Sequence, residues 1–227
     1  MEKIYTGKTK DVFQLDNGNV QLIFKDDVTG VDGKFDPGAN SVGLSIDGMG
    51  NYNIKVTQFF FNKLIEKGIE THFVSMDESK NAMEVKKCKP FGKGLEVIYR
   101  NNAYGSFLRR YGLYAEEMQP LKDYVEVTIK DDDREDPLIT EDALVALGIM
   151  THEEYMDVKE ETIKIARMIT EILEEMDIKL VDIKFEFGVD SNGKVLLIDE
   201  IAGGNMRAFK NEVQLDPIEL SKLILER

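Results

Sequence analysis

The 227-residue sequence predicts an α+β fold in two lobes, with a mainly β lobe carrying one helix over residues 1–88 and an α+β lobe over 89–227. Three observations predict it. Short strand-like segments crowd the N-terminal part, a long capped amphipathic helix follows Thr151, and a hairpin pattern occupies Leu180 to Glu200. Strands first, then helices mixed with hairpins, is the element order of α+β chains rather than of regular βαβ repeats.

In order, Ile4-Tyr5 reads as a strand leading into Gly7-Lys-Thr-Lys10, followed by a strand from Asp11 to Leu15, a turn at Asp16-Asn-Gly18 and a strand from Val20 to Phe24. Residues 26–53 are rich in Gly, Asp and Asn without periodicity, so a long loop is expected there. Ile54 to Lys67 has helical spacing (Ile54, Phe60 or Phe61, Leu64, Ile65) and stops at Gly68, a residue suited to the left-handed position after a helix. Strands are expected at Thr71–Ser75, Ala82–Lys87, Gly94–Tyr99 and Tyr124–Ile129, with a helix from Asn102 to Tyr111. A short helix near Glu141–Leu147 precedes the longest one. Thr151-x-x-Glu154 has the form of a capping box, and Val158, Thr162, Ile165, Ile169, Ile172 and Met176 recur every three to four residues behind it. Asp216-Pro217 suits the cap and first position of a last helix running through Leu225.

The Leu180–Glu200 segment is the most informative. Val181, Ile183, Phe185 and Phe187 alternate with Asp182, Lys184 and Glu186, so one strand face is apolar and the other charged. If Asn192-Gly193 is a two-residue turn, Glu186 lies opposite Asp199. Opposed carboxylates destabilise a sheet unless a cation compensates them, and oxygen ligands of this kind suit a divalent ion. A solvated charged face is the other reading. The continuously apolar Val195–Ile198 and the Gly203-Gly204 exit, which permits close backbone approach to a ligand, favour a metal–phosphate site.

Composition narrows the function. A net charge of −14 argues against nucleic-acid binding, yet local basic clusters suited to small anions occur at Lys8 with Lys10, Lys86 with Lys87, and Arg100 with Arg109 and Arg110. The single cysteine, the want of an apolar run long enough for a membrane and the plain N-terminal segment lead us to expect a cytoplasmic protein without a membrane partner. Two separated histidines, His72 and His152, read as surface or packing residues rather than zinc ligands. Gly7-Lys-Thr-Lys10 lacks the spacing of a P-loop; it is either a solvated hairpin or a flap over phosphates. Arg100-Asn-Asn-Ala-Tyr-Gly-Ser106, a basic strand end before a small-residue turn, suits a phosphate or carboxylate, with surface arginines on a helix as the alternative.

Taken together, Tyr5-x-Gly-Lys-x-Lys10, Asp26-Asp27, Gly68-Ile-x-Thr-His72, Arg100-Asn-x-Ala-x-Gly-Ser106, Lys130-x-Asp132, Asp136-Pro137, Leu180-Val-Asp-x-Lys-x-Glu-Phe-Gly188, Asp199-Glu200 and Arg207 resemble the SAICAR synthetase family over nearly the whole chain. The resemblance implies an ATP-grasp-like architecture with a nucleotide cleft between the lobes, and a homodimer. It implies a ligase that passes the γ-phosphoryl group of ATP to the carboxylate of carboxyaminoimidazole ribotide, whose acyl phosphate is then attacked by the amine of aspartate, in purine biosynthesis. By the same resemblance Lys8, Lys10, Lys86 and Lys184 would bind ATP, and Glu186 and Asp199 would hold Mg²⁺. Arg100, Ser106 and Arg207 would grip the substrate phosphate, and Lys184, Asp182 and Lys130 would be catalytic. The chain departs from the family at Gly204 and Lys210, which stand where acids are usual, and at Gly48-Met-Gly-Asn-Tyr-Asn53. A paralogous ligase for another acid or amine is the alternative these departures suggest.

Overall fold

A computed structural model describes residues 1–31, 33–36, 38 and 41–226. Its backbone divides into two compact units, one formed by Met1–Lys89, Gly188–Asn205 and Asp216–Arg227, the other by Pro90–Phe187 and Met206–Leu215. The expected lobes met at one boundary, after residue 88; the observed units are interleaved along the chain.

In the first unit five antiparallel strands follow the spatial order Glu2–Thr6, Lys10–Gln14, Val20–Phe24, Ala82–Val85, Phe73–Asp77. The alternating burial of Val20, Leu22 and Phe24 turns one face of the central strand onto the helix Met49–Glu66. That helix buries Ile54, Phe60, Phe61 and Leu64 but leaves Ile65 at the surface, and Gly68 ends it at φ 78° as its sequence position predicts. It also packs on the last helix, Pro217–Leu225, where Asp216 and Glu219 complete a capping box.

The expected loop over 26–53 is corrected where it can be described. Asp27–Val31 pairs with both Lys34–Phe35 and Val42–Ser45, while residues 32, 37, 39 and 40 fall outside the described residues. Glycine hid these strands. A Cβ on Gly43 would stand 2.5 Å from Gly30 Cα, so the two strands approach closely at a bulge between Thr29 and Val28. The helix likewise begins at Met49 rather than Ile54, because Asp26 supplies the cap from outside it: its Oδ1 accepts the Gly50 N–H at 2.8 Å and its Oδ2 the Gly48 N–H at 3.2 Å.

In the second unit the antiparallel order is Pro120–Ile129, Leu95–Asn102, Lys179–Val189, Met206–Lys210, Val213–Gln214. The helix His152–Glu174 packs on the first two of these strands and buries Val158, Thr162, Ile165 and Ile169, with the Thr151–Glu154 capping box in place. Asn102 continues its strand, so the helix expected from that residue starts later, at Ser106, once Gly105 has turned the chain at φ 55°. Among the described residues no helix is long and apolar enough to cross a membrane.

The hairpin turn differs from the two-residue form. Asp190 N–H donates to Lys194 O at 2.9 Å around Ser191-Asn192-Gly193, with Gly193 at φ 81°. The Asp190 carboxylate selects this longer loop by accepting the Asn192 and Lys194 N–H groups. The register that set Glu186 directly opposite Asp199 required the shorter turn and is not adopted.

Candidate active site

The first unit gathers charge at the N-terminal hairpin and the end of the Val195–Ile198 strand. Gly7 N–H closes on Lys10 O at 2.8 Å, leaving Lys8 and Thr9 as the tip. Lys25 anchors this tip twice, its backbone N–H donating to Thr9 O and its Nζ to Gly7 O, both at 2.8 Å. Lys10 Nζ lies 2.5 Å from Asp199 Oδ1 and also pairs with Glu200 Oε2. Adjacent residues of a regular strand point to opposite faces. Here Asp199 adopts φ 67°, which breaks the alternation and lets consecutive carboxylates reach one ammonium.

His72 supports that turn. It is 4% exposed and packs edge-on against Phe61, and its Nε2 faces the Asp199 carbonyl at 3.0 Å. Burial pushes its imidazole down to about 4, outweighing the Asp199 carbonyl, which favours the charged form. The unfolded chain takes up this proton near 6.5, so between roughly 6.5 and 4 the unfolded state binds more protons than the folded one. The contribution of neutral His72 to stability is therefore complete above that window and is lost as pH falls through it, at about 1.4 kcal/mol per pH unit. Urea unfolding between pH 7.5 and 4.5 should show this slope, and His72→Gln should flatten it. Lys86, also assigned to ATP, lies in this unit as an exposed residue beyond the Ala82–Val85 strand.

The second unit carries the larger cluster on one face of its sheet. Cross-strand pairing sets Tyr124 opposite Arg100, Arg100 opposite Asp182 and Asp182 opposite Arg207, a row running across four strands. Arg100, 1% exposed, donates from Nε and Nη2 to Glu126 Oε1 at 3.0 and 2.6 Å, from Nη1 to Asp182 Oδ2 at 2.6 Å and from Nη2 to Ser106 Oγ at 2.8 Å. Arg207 Nη1 reaches the same Asp182 oxygen at 2.8 Å, and Arg110 Nη2 reaches Glu126 at 2.5 Å. Three guanidiniums thus share two buried carboxylates, an excess of positive charge suited to an anion. Gly105 is required here, since its Cβ would stand 2.9 Å from Arg207 Nη2 in addition to its positive φ.

Further along the same face Lys130 Nζ donates to Glu186 Oε1 at 2.7 Å, while Lys184 lies 3.0 Å from Glu96 Oε1 and 3.7 Å from Glu186. Burial raises the Glu96 carboxyl, but Lys184, Lys130 and the Thr128 hydroxyl together bring it below the usual range. The charged strand face is therefore an internal network: Asp182 is 3% and Glu186 8% exposed.

The candidate residues fall into two sets. Lys8, Lys10, Lys86 and Asp199 belong to the first unit; Arg100, Ser106, Lys130, Asp182, Lys184, Glu186 and Arg207 belong to the second. Sequence reasoning gave no site role to four members: Glu200 and His72, which lie within the family pattern, and Glu96 and Glu126. Glu126 had a signal, since it sits inward on a strand among Val125, Val127 and Thr128, where an acid needs a buried partner. Within the Gly203-Gly204 exit the reading is corrected at Gly203, which makes room for the chain's own Pro217, whose carbonyl would stand 2.8 Å from an added Cβ, while a Cβ on Gly204 would meet nothing within 4 Å. Lys210 donates to Met176 O at 2.8 Å and so ties down the helix exit.

A profile of the SAICAR synthetase family matches residues 3–222. The phosphoribosylaminoimidazole-succinocarboxamide synthase of Clostridium tetani is 52% identical over 227 residues, covering 100% of both chains. That of Finegoldia magna is 37% identical over 93% of this chain and 87% of its own. A solved SAICAR synthetase in complex with ADP superimposes with a TM-score of 0.86 at 29% identity, covering 98% of this chain and 97% of the other.

Proposed function

This chain belongs to the SAICAR synthetase family, and on that premise we propose that its two clusters divide the work of an ATP-dependent ligation of aspartate to carboxyaminoimidazole ribotide. The family's activity makes it a ligase of purine biosynthesis that uses ATP. The observation that carries the substrate assignment is the buried Arg100–Asp182–Arg207 row with Ser106, because an excess of fixed guanidinium charge is what a ribotide phosphate needs.

In this reading Lys8, Lys10, Lys86 and Lys184 bind ATP phosphates, and Arg100, Ser106 and Arg207 hold the substrate phosphate. Asp182 orients the two arginines, while Lys130 and Lys184, both on Glu186, neutralise charge on the transferred phosphoryl group. Such chemistry asks for positioning and charge neutralisation rather than a protein nucleophile. The residues fit Mg²⁺ on donor chemistry: the carboxylates of Asp199 and Glu200 already converge on a cation, the Lys10 ammonium, and Glu186 accepts from Lys130 with the Lys184 ammonium 3.7 Å away. Asp199 and Glu186 would be ligands, and the ion would supply phosphate charge neutralisation. An ATP-grasp-like architecture, a cytoplasmic location and a homodimer belong to the same proposal.

The test is ADP release from ATP with carboxyaminoimidazole ribotide and aspartate, each omitted in turn and then replaced by other acids and amines. Turnover with the named pair supports the reading. Turnover only with another pair would move the chain to a different substrate, and its complete absence would overturn ligase activity.

A further inference from the structure

Asp199 and Glu200 are sequence neighbours whose carboxylates converge only because Asp199 leaves the strand conformation, at φ 67°. Aspartate tolerates the left-handed region better than most residues, yet the region remains less favourable for it than for glycine, and contacts to the turn help to hold it. Two side chains bond to the carbonyls of this turn. Asn205 Nδ2 donates to Glu200 O at 2.6 Å, and the His72 ring nitrogen Nε2 meets Asp199 O at 3.0 Å. A carbonyl only accepts, so Nε2 carries the hydrogen. His72 is itself fixed by its backbone: its N–H donates to Leu197 O at 3.0 Å, its carbonyl accepts Lys86 N–H at 2.7 Å, and Thr71 bridges Leu197.

From this arrangement we infer that His72 is a positioning residue whose Nε2–H holds the Asp199 carbonyl and so keeps the Asp199–Glu200 carboxylate pair aimed at one cation. The inference rests on the reading in which this pair serves Mg²⁺·ATP. His72 touches neither nucleotide nor cation in it; its effect passes through the backbone of Asp199. Outer residues that orient metal-binding groups commonly matter 10–100-fold.

The test compares wild type with His72→Phe, which keeps the ring against Phe61 without the donor, and His72→Gln, whose amide can donate to the same carbonyl. ATP binding is measured by calorimetry with and without Mg²⁺, alongside thermal melts and metal-free crystal structures. The Mg²⁺-dependent gain in ATP affinity should fall about 10–100-fold in His72→Phe and recover in His72→Gln. In crystals of His72→Phe, Asp199 should leave the left-handed conformation. A folded His72→Phe with the wild-type Mg²⁺ response and an unchanged Asp199 would overturn the inference, as would a natively melting His72→Gln as impaired as His72→Phe. Wild-type ATP binding that ignores Mg²⁺ would instead overturn the metal reading of the pair, and the Asp199 conformation in the His72→Phe crystal would still decide the positioning.

Discussion

Asp182→Ala should destabilise the protein by about 3–5 kcal/mol, because it strands buried positive charge. One oxygen of this carboxylate receives Arg100 at 2.6 Å and Arg207 at 2.8 Å, and both arginines are almost wholly buried. The other carboxylate on Arg100, Glu126, is already shared with Arg110 and Tyr124 and has no second charge to lend. At this chain length the loss corresponds to a fall in Tm of roughly 6–20 °C, readable by calorimetry. Asp182→Asn, which keeps an accepting oxygen, should fall between the two. If Asp182→Ala melts like wild type, the network contributes nothing to the fold, and any loss of turnover would point to direct chemistry by Asp182.

Asp199→Asn should act in the opposite way, with turnover down by about 10²–10³ and the melt close to wild type. Asparagine tolerates the left-handed conformation that Asp199 adopts, and the His72 bond goes to the retained backbone carbonyl. What is removed is the negative charge facing Lys10 at 2.5 Å. Glu186→Gln, which weakens the hold on Lys130 and Lys184, is expected to lose turnover in parallel. Near-normal activity in both variants would remove the magnesium assignment.

Legibility in the sequence followed how local each cause was. The capping box at Thr151, the cap at Asp216 with Pro217 after it, the stop at Gly68 and the alternation along Val181–Phe187 are written within a few residues of their effect, and each was read correctly. The start of the Met49 helix depends on Asp26, more than twenty residues earlier, which no periodicity reveals. The strands around Gly30 and Gly43 were hidden because close approach demanded glycine, a residue of low strand propensity. In the two clusters, the charged residues of the motifs could be named from sequence, whereas Glu96 and Glu126, which no motif contains, and His72, read as a surface or packing residue, acquire meaning only from the partners that the fold gives them. The Asn192-Gly193 turn shows the same limit, since the Asp190 carboxylate, outside the dipeptide, decided the loop length.

The interleaving of the two units has a consequence for how the protein is made. The chain passes between them at 89–90, 187–188, 205–206 and 215–216, and the final helix belongs to the unit that begins at Met1. Met49–Glu66 leaves the ribosome well before Pro217–Leu225, the helix against which it packs. The usual order, in which an N-terminal unit folds while the rest is still being synthesised, is therefore closed to the first unit. Its apolar helix face must wait for the segment from Asp216 onward, so nascent chains stalled before that residue leave this face uncovered.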